Sequence, residues 1–358
     1  MSDKQRYDWV DAAKGLSIIL VVMMYAAYNV GEYTGGVGVL HYIIGFAAPF
    51  RMPEFFLISG LFLSRVIERD WRRYADRRIV HYLYFYAVWV AIDHILKVGI
   101  AGGNLPGMLS GMALAVVEPY GVLWFIYMLA VFSLVAKLAW QAKLPHWLMI
   151  VLAAVLQMAH IGSPIYAVTQ FAAYFFFFYL GYAASRHVFR IVEAALRSPA
   201  LAWAGIALWA AAEAFLVFWP NGYPAAMEMR MGLAAFPPLH LALAVAGAVA
   251  LCVLGCLLMR LPYTGWLRWL GEHSLVIYVA FTLPMSAARI IAMKSGLIAG
   301  VSELSILVLV MAVAAPVVLY LLIKRFKIGE FLFERPAWAH ISGTAGSGIK
   351  PAAIGPTE

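Results

Sequence analysis

The chain has 358 residues, of which 64% are hydrophobic and only 12% are Asp, Glu, Lys or Arg, and its formal net charge is +8. Soluble proteins carry about 25% charged residues, so this chain has too little charge to cover the surface of a soluble globule. The composition argues against a soluble enzyme, a disordered protein and a nucleic-acid-binding domain. It predicts a protein that crosses a membrane several times.

Apolar segments of spanning length recur along the chain. A helix crosses the hydrocarbon core with about 20 mostly apolar residues. We therefore predict an all-α, polytopic membrane helix bundle with about ten transmembrane helices. A Gly-broken stretch at 105–117 is predicted to be a loop or a re-entrant piece. The predicted spans are 14–33, 40–66, 79–98, 122–136, 147–161, 165–184, 199–219, 238–259, 274–293 and 304–323.

The distribution of Lys and Arg predicts the orientation of the bundle. Cytoplasmic loops of membrane proteins are enriched in these residues. The N-terminal stub, alternate loops and the tail carry most of them, whereas the opposite side holds only Lys97, Arg230, Arg289 and Lys294. We expect both termini to be cytoplasmic, with the arginines facing anionic membrane lipids rather than nucleic acid. In a bacterium the location would be the plasma (inner) membrane.

The span count predicts one membrane-embedded domain over residues 1–335. The remaining residues, 336–358, are mostly small and polar, and we expect a disordered cytoplasmic tail. The nine histidines show no metal-ligand spacing, so no metal site is predicted.

Arg51 is the most informative residue because it lies near the middle of the second predicted span. A charge at the bilayer centre costs at least about 2.5–3.5 kcal/mol, so it should face a partner or a wet cavity. Glu54 lies one turn further on the same face, and Pro53 removes a backbone donor, which predicts a kink there. Two interpretations stay open: an Arg–Glu pair that locks the kink, or a site in which Arg51 binds an anionic or polar group.

Tyr25 is predicted to lie at the same depth as Arg51. It is eleven residues beyond Lys14, which is about 16 Å along a helix, and Tyr28 and Asn29 lie on or beside its face. Such a stripe is either packing or part of a site. The same two interpretations apply to Trp124 and Tyr127 in the fourth predicted span.

Polar residues also occur within the third and seventh predicted spans. Asp93 and His94 are adjacent, so they point about 100° apart on a helix and do not pair readily. His94 is either an acid or base or an interfacial histidine, and Glu213 is a further acid, in the outer half of the seventh predicted span.

The densest positive patch lies between the second and third predicted spans. It is either a positive-inside anchor or a dock for a phosphate-rich ligand, because guanidinium groups match phosphate oxygens. The candidate docking residues are Arg72, Arg73, Arg77 and Arg78.

Five segments carry a resemblance to a known family: DAAKGLSIILVV at 11–22, RMPEFFLISG at 51–60, DRRI at 76–79, LWFIY at 123–127 and GEHSLVIY at 271–278. In their order and spacing they resemble the acyltransferase-3 family of integral membrane acyltransferases, in its short form without an extra soluble domain. The resemblance implies transfer of an acyl group from cytoplasmic acyl-CoA, a donor substrate rather than a permanently bound cofactor. The acceptor is implied to be a hydroxyl of an extracytoplasmic glycan or lipid.

The resemblance also assigns residues. Arg51 matches the family's intramembrane arginine, Arg77 and Arg78 match its basic loop, and Trp124 and Tyr127 match its fourth-span motif. Tyr25 stands where the family usually has a histidine, and Phe281 stands where it often has a second one.

These departures leave two functional hypotheses. A phenol with a pKa of about 10 is only about 0.1% ionised at neutral pH, so Tyr25 is a weak base. In the first hypothesis the chain is an acyltransferase with a rearranged centre, in which Arg51 stabilises the thioester oxygen and Tyr25, Glu54 or His94 handles the proton. In the second, the scaffold is a catalytically degenerate transport or binding protein. Asn29, Asp93, Trp124 and Tyr127 are the candidate substrate-binding residues.

Overall fold

The computed structural model describes residues 7–220, 231–296, 300–344 and 346, and within them the secondary structure is helical, without strands. Two π-helical segments, Asp76–Val80 and Ile95–Ile100, flank α5. The α-helices are α1 Asp8–Thr34, α2 Val39–Phe46, α3 Arg51–Leu61, α4 Trp71–Ala75, α5 His81–His94, α6 Leu105–Leu114, α7 Trp124–Gln141, α8 His146–Met158, α9 Tyr166–Ala183, α10 Ser185–Arg197, α11 Pro199–Phe218, α12 Pro237–Leu258, α13 Gly265–Glu272, α14 Ser274–Ala280, α15 Thr282–Ser295 and α16 Val301–Phe326.

Six helical stretches in the described residues are long and apolar enough to cross a membrane, and the number rises to eight if two bent pairs each form one span. The bent pairs are α9 with α10, at 72°, and α14 with α15, at 56°. The all-helical, multi-pass prediction is confirmed, whereas the count of about ten and the orientation of the termini are not. The stretches are Asp8–Thr34, Trp71–Ile100, Gly121–Gln141, Pro199–Phe218, Pro237–Leu258 and Val301–Phe326.

The second predicted span is broken, and this break positions Arg51. The helix α2 ends at Phe46 and α3 begins at Arg51. Pro49 has no N–H to donate to the carbonyl of Gly45 and disfavours helical geometry at the preceding residue. The N–H of Ala48 instead donates to Gly45 at 3.2 Å, which ends the helix.

The predicted kink at Pro53 is therefore wrong, and so is the placement of Arg51 in the middle of one helix. Pro53 is the third residue of α3. The first four N–H groups of a helix have no intrahelical partner, so a proline in the first turn removes no hydrogen bond. Arg51 stands at the beginning of α3 instead.

The chain divides into two compact units. Unit 1 comprises Met1–Phe62, His146–Gly162 and Ala172–Val318, and unit 2 comprises Leu63–Pro145, Ser163–Phe171 and Leu319–Glu358. Tyr25, Asn29, Arg51 and Glu54 belong to unit 1. The other candidate site residues belong to unit 2.

In unit 1, α1 is the central helix and packs against α2, α3, α12, α13 and α14. Close helix crossings depend on glycine. A side chain at Gly271 in α13 would collide with the carbonyl oxygen of Asp11, and one at Gly60 in α3 would collide with that of Phe178. The backbones of α1 and α3 are thereby held close to their neighbours.

In unit 2, α5 and α7 pack together, and the polar side chains of the adjoining segments are tied to backbone. The Tyr74 hydroxyl donates to the carbonyl of Ser133 at 2.7 Å. The Lys137 ammonium donates to the carbonyl of Arg69 at 2.8 Å and lies 4.3 Å from the ring centroid of Trp140. Lys137 is therefore a buried structural cation.

The predicted tail lies partly outside the described residues. Residues 336–344 and 346 are described, and they include a short 3-10 turn, Ala337–Ala339. The N–H of Ile341 donates to the Asp76 carboxylate at 2.8 Å. The single-domain and disordered-tail boundaries at 335 and 336 stay predictions.

Candidate functional site

The side chain of Arg51 is buried, with 8% of its surface exposed, although it carries a permanent charge. Its Nη1 donates to the carbonyl oxygen of Ile44 at 2.8 Å, in the last turn of α2. Carbonyls at the end of a helix lack intrahelical partners. Nε of Arg51 is buried and has no hydrogen-bond partner among the described residues. The guanidinium is thus anchored at one side and has donor capacity left.

Three phenols lie near this guanidinium. Tyr25 and Tyr28 from α1 and Tyr174 from α9 all lie close enough to interact electrostatically with Arg51. The ring of Tyr25 also contacts that of Phe281, with 5.4 Å between centroids. Tyr25, which stands where the family usually has a histidine, therefore lies near Arg51. Phe281, which stands where the family often has a second histidine, contacts Tyr25.

Glu54 does not pair with Arg51, although the two are one helical turn apart. Its Oε2 accepts a hydrogen bond from the Ser17 hydroxyl of α1, and Oε1 is buried without a partner in the described structure. No ion pair joins Glu54 to Arg51 within the described ranges, and Cys252 of α12 lies near the carboxylate. The interpretation as an Arg–Glu lock is therefore not supported by the geometry.

Asn29 lies beyond Tyr25 on α1, and its Oδ1 is buried without a hydrogen-bond partner in the described residues. Its carbonyl oxygen lies 3.5 Å from Nη1 of Arg289, which belongs to α15. The polar stripe of α1 thus continues from Tyr25 towards the C-terminal end of the helix.

Asp93 and His94 are both buried in unit 2 and, as expected from their adjacency, point to different partners. Asp93 accepts a hydrogen bond from Lys97 at 2.8 Å, and its Oδ1 has no partner in the described chain. Nδ1 of His94 lies 3.0 Å from the carbonyl of Val90, and its ring centroid is 4.2 Å from that of Tyr120.

Tyr127 borders an apolar groove of about 460 Å³ within unit 2, between α5, α6 and α7. Its hydroxyl donates to the carbonyl of Val116 at 3.2 Å, and its ring lies 5.2 Å from that of Tyr86. Trp124 is buried one turn earlier and contacts the ring of Tyr166 edge-on at 6.3 Å.

The four candidate docking arginines differ in their surroundings. Arg72, Arg73 and Arg77 are exposed, whereas Arg78 is partly buried. Nε of Arg73 lies 3.4 Å from the carboxylate of Asp70. Exposed guanidinium groups at the end of a helix are free to contact a phosphate-bearing ligand. In the described residues, no group of three His, Cys, Asp or Glu side chains has a metal-binding arrangement.

Sequence reasoning missed several contributors. Tyr174 lies within a run of aromatic residues at 174–179 that gives no hint of a polar site. The Ile44 carbonyl becomes an acceptor only because Pro49 ends α2. The pairing of Ser17 with Glu54 depends on the crossing of α1 and α3, and no local pattern indicates it.

The structure thus defines an integral membrane protein with a buried cationic and phenolic site. A family model for the acyltransferase domain of the acyltransferase-3 family matches residues 7–323. The chain belongs to the acyltransferase-3 family. No curated protein and no solved structure matches the chain.

Proposed function

We propose that this protein transfers an acyl group from cytoplasmic acyl-CoA to a hydroxyl of an extracytoplasmic carbohydrate or lipid. Membership of the acyltransferase-3 family supports acyl transfer. The observation that carries the proposal for this chain is the buried Arg51 guanidinium, with an unpartnered Nε among three phenols.

In the proposed reaction, the acceptor's hydroxyl oxygen bonds to the acyl carbon, and the bond from that carbon to sulfur breaks. The hydroxyl proton leaves the acceptor, and the CoA thiolate is released as the thiol after taking up a proton. Arg51 donates hydrogen bonds to the carbonyl oxygen as it becomes negative, and such a donor accelerates acyl transfer by about 100-fold or more. Tyr25, one of the three phenols near Arg51 and the residue at the position where the family usually has a histidine, is our candidate for the group that relays the proton.

Glu54 and His94 fit the proton step less well. Glu54 is engaged by Ser17, and Nδ1 of His94 faces the carbonyl of Val90 within its own helix. We assign Glu54 to the positioning of α3 against α1, and we keep His94 as a candidate base for unit 2.

The donor and the membrane arrangement belong to the same proposal. The exposed arginines Arg72, Arg73 and Arg77, with Arg78, would bind the phosphates of CoA. The groove beside Tyr127 is apolar and would suit an acyl chain. The proposal keeps about ten spans, which rest on the lengths of the apolar segments, and cytoplasmic termini, which rest on the distribution of Lys and Arg. In a bacterium the location would be the inner membrane of the cell envelope.

A second candidate function is supported by buried carboxylate oxygens that lack a hydrogen bond. Both carboxylate oxygens of Glu213 and Oδ1 of Asp93 are buried without hydrogen-bond partners in the described residues. Acids inside membrane proteins often mark ion or proton pathways. A transport or binding protein without acyl transfer is therefore the alternative.

Release of CoA from acetyl-CoA by the purified full-length protein tests the proposal. We expect turnover in the wild type, a loss of about 100-fold in Arg51→Gln, and a loss of at least about tenfold in Tyr25→Phe. The matched control is Tyr263→Phe, since Tyr263 is 88% exposed. Absence of both CoA release and CoA binding in the wild type would overturn the proposal.

The same variants address the alternative. A transport or binding protein would tolerate Tyr25→Phe and lose its function in Arg51→Ala, with no CoA released by any variant. Turnover that depends on Tyr25 excludes that outcome.

A further inference from the structure

A second guanidinium approaches the polar stripe of α1. Arg289, in the second half of α15, lies with its guanidinium carbon 4.7 Å from the ring centroid of Tyr33. Its Nη1 is 3.5 Å from the carbonyl oxygen of Asn29, and its Nε is buried without a hydrogen-bond partner among the described residues. Arg289 therefore retains donor capacity beside α1, as Arg51 does.

Asn29 connects the surroundings of the two arginines. It follows Tyr25 by one helical turn, about 6 Å along the axis, and it directly follows Tyr28. Its Oδ1 is also buried without a partner in the described structure. Phe281, which immediately precedes α15, contacts the ring of Tyr25. Side-chain contacts of Phe281 and Arg289 thus connect α15 to this stripe of α1.

The two guanidinium groups beside the stripe have no ion-pair partner in the described residues. Within the described ranges, neither Arg51 nor Arg289 has a carboxylate at ion-pair distance, and the carboxylate of Glu54 is hydrogen-bonded to Ser17 instead. Charged groups inside a membrane protein are normally paired or functional. Two guanidinium groups without a counter-charge favour an anionic ligand.

Phosphate is the anion that fits these donors best. It offers several oxygens in different directions, and guanidinium groups bind it through paired N–H donors. Asn29 adds an amide, which both donates and accepts and so suits a hydroxyl next to the phosphate.

We propose that Asn29 and Arg289 bind the phosphate end of an acceptor substrate, and that this positions the acceptor's hydroxyl near Tyr25 and Arg51. This inference rests on the proposed acyl transfer, since it names the chemical class of the acceptor. Arg289 acts as a positioning residue and takes no part in bond making. The phosphate belongs either to a lipid headgroup or to a soluble phosphate ester, which present the same chemistry.

Lipid binding by the full-length protein tests the site. The protein, purified in neutral detergent, is incubated with phosphatidylglycerol or with diacylglycerol, which lacks the phosphate, and retained lipid is measured by native mass spectrometry. We expect selective retention of phosphatidylglycerol, at least tenfold weaker retention in Arg289→Gln, and partial recovery in Arg289→Lys. The matched control is Arg268→Gln, because Arg268 is exposed and pairs with Asp8.

Competition with inorganic phosphate distinguishes the two sources. Displacement of phosphatidylglycerol by inorganic phosphate in the wild type supports a soluble phosphate ester, and resistance to displacement supports a lipid headgroup. Equal retention of both lipids, or unchanged retention in Arg289→Gln, would overturn the inference.

A second measurement needs no substitution. Phenylglyoxal modifies accessible arginines, and peptide mapping reports the extent of modification at Arg289. We expect phosphatidylglycerol, but not diacylglycerol, to protect Arg289 in the wild type. Failure of protection overturns the inference even if Arg289→Gln does not fold.

Acetyl-CoA turnover separates this inference from the proposed function. Hydrolysis of acetyl-CoA by water needs no acceptor, so it is measured in the wild type independently of lipid retention. If no variant turns over acetyl-CoA while lipid retention still depends on Arg289, the acyltransferase proposal fails and the phosphate site stands.

Discussion

Asp76 and Arg335 are 259 positions apart in the sequence, and their side chains form an ion pair with an N–O distance of 2.7 Å, 4% exposed on each side. Nη1 of Arg335 also donates to the carbonyl oxygen of Asp76 at 2.7 Å. The pair ties the segment after α16 to the π-helical turn that contains Arg77 and Arg78. The pair thereby holds the backbone of the segment that carries Arg77 and Arg78, two of the candidate CoA-binding arginines.

Breaking this pair is expected to destabilise unit 2. Arg335→Gln removes the guanidinium from the buried Asp76 carboxylate, which keeps its contacts with the N–H of Ile341 and with His340. Removal of one member of a buried ion pair typically costs about 3–5 kcal/mol, and the remaining contacts place the expected loss at the lower end of that range. The control is Lys324→Gln, because the Lys324–Glu334 pair is exposed and such pairs contribute only about 0–1 kcal/mol. The measurement is the thermal unfolding midpoint of the purified protein. Equal shifts in the two variants would show that the Asp76 pair contributes no more than a surface pair.

Gly60 is expected to be intolerant of a side chain. A Cβ at this position of α3 would collide with the carbonyl oxygen of Phe178, so Gly60→Ala forces α3 and α9 apart. We expect a lower unfolding midpoint and a loss of acetyl-CoA turnover, since α3 begins with Arg51. Gly205→Ala is the control: no atom lies within 4 Å of the added carbon, and alanine favours a helix by up to about 1 kcal/mol. A similar loss in both variants would contradict the explanation.

Glu54 is expected to position α3 rather than to carry a proton. Glu54→Gln keeps a side-chain oxygen that accepts a hydrogen bond from the Ser17 hydroxyl, so acetyl-CoA turnover should stay within about threefold of the wild type. Glu54→Leu removes the acceptor and leaves Ser17 with only the carbonyl of Ala13, at 2.9 Å, and we expect a lower unfolding midpoint. If turnover of Glu54→Gln falls by about 100-fold, Glu54 and not Tyr25 is the residue that transfers the proton.

Replacing Tyr25 with histidine is expected to increase turnover. Histidine has an ordinary pKa of about 6.5, so much more of it is free base at neutral pH than of tyrosine. Because the neutral imidazole is the active form, the rate of Tyr25→His should rise with pH through this range and level off above it.

The measurement is the rate of CoA release between about pH 5 and pH 8. Tyr25→Phe is the comparison, since it keeps the ring beside Phe281 and removes the hydroxyl. If Tyr25→His is no faster than Tyr25→Phe at any pH, Tyr25 does not occupy the proton-handling position.

The long apolar helices could be predicted from the sequence because their boundaries depend on local composition. The predicted spans 199–219 and 238–259 correspond to Pro199–Phe218 and Pro237–Leu258 within one residue at each end. The helices α10 and α13 were not predicted as elements, because amphipathic helices without a spanning apolar run give a weaker signal. In α10, Val188 and Val192 are buried at a helical spacing, which a search for amphipathic periodicity would have detected.

For the candidate site, the sequence predicts which residues lie at a common depth in the membrane but not which partners their side chains take. Counting residues from Lys14 predicts a common depth for Tyr25 and Arg51, and the structure places the two close enough to interact. The residue count does not predict that Arg51 donates to the carbonyl of Ile44 or that Glu54 accepts from Ser17. Those directions depend on the helix break and on the crossing of α1 and α3, which are tertiary features.

The interruption between α2 and α3 also makes the position of Arg51 depend on chain geometry. In a regular helix the N–H of Ala48 would donate to the carbonyl of Ile44, but here it donates to the carbonyl of Gly45. The carbonyl of Ile44 is therefore available to accept a hydrogen bond from the Arg51 guanidinium. A continuous helix through this region, as a Pro49→Ala exchange would favour, would return that carbonyl to the backbone ladder and deprive the arginine of its anchor. Pro49, two residues before Arg51, therefore determines where the positive charge is held.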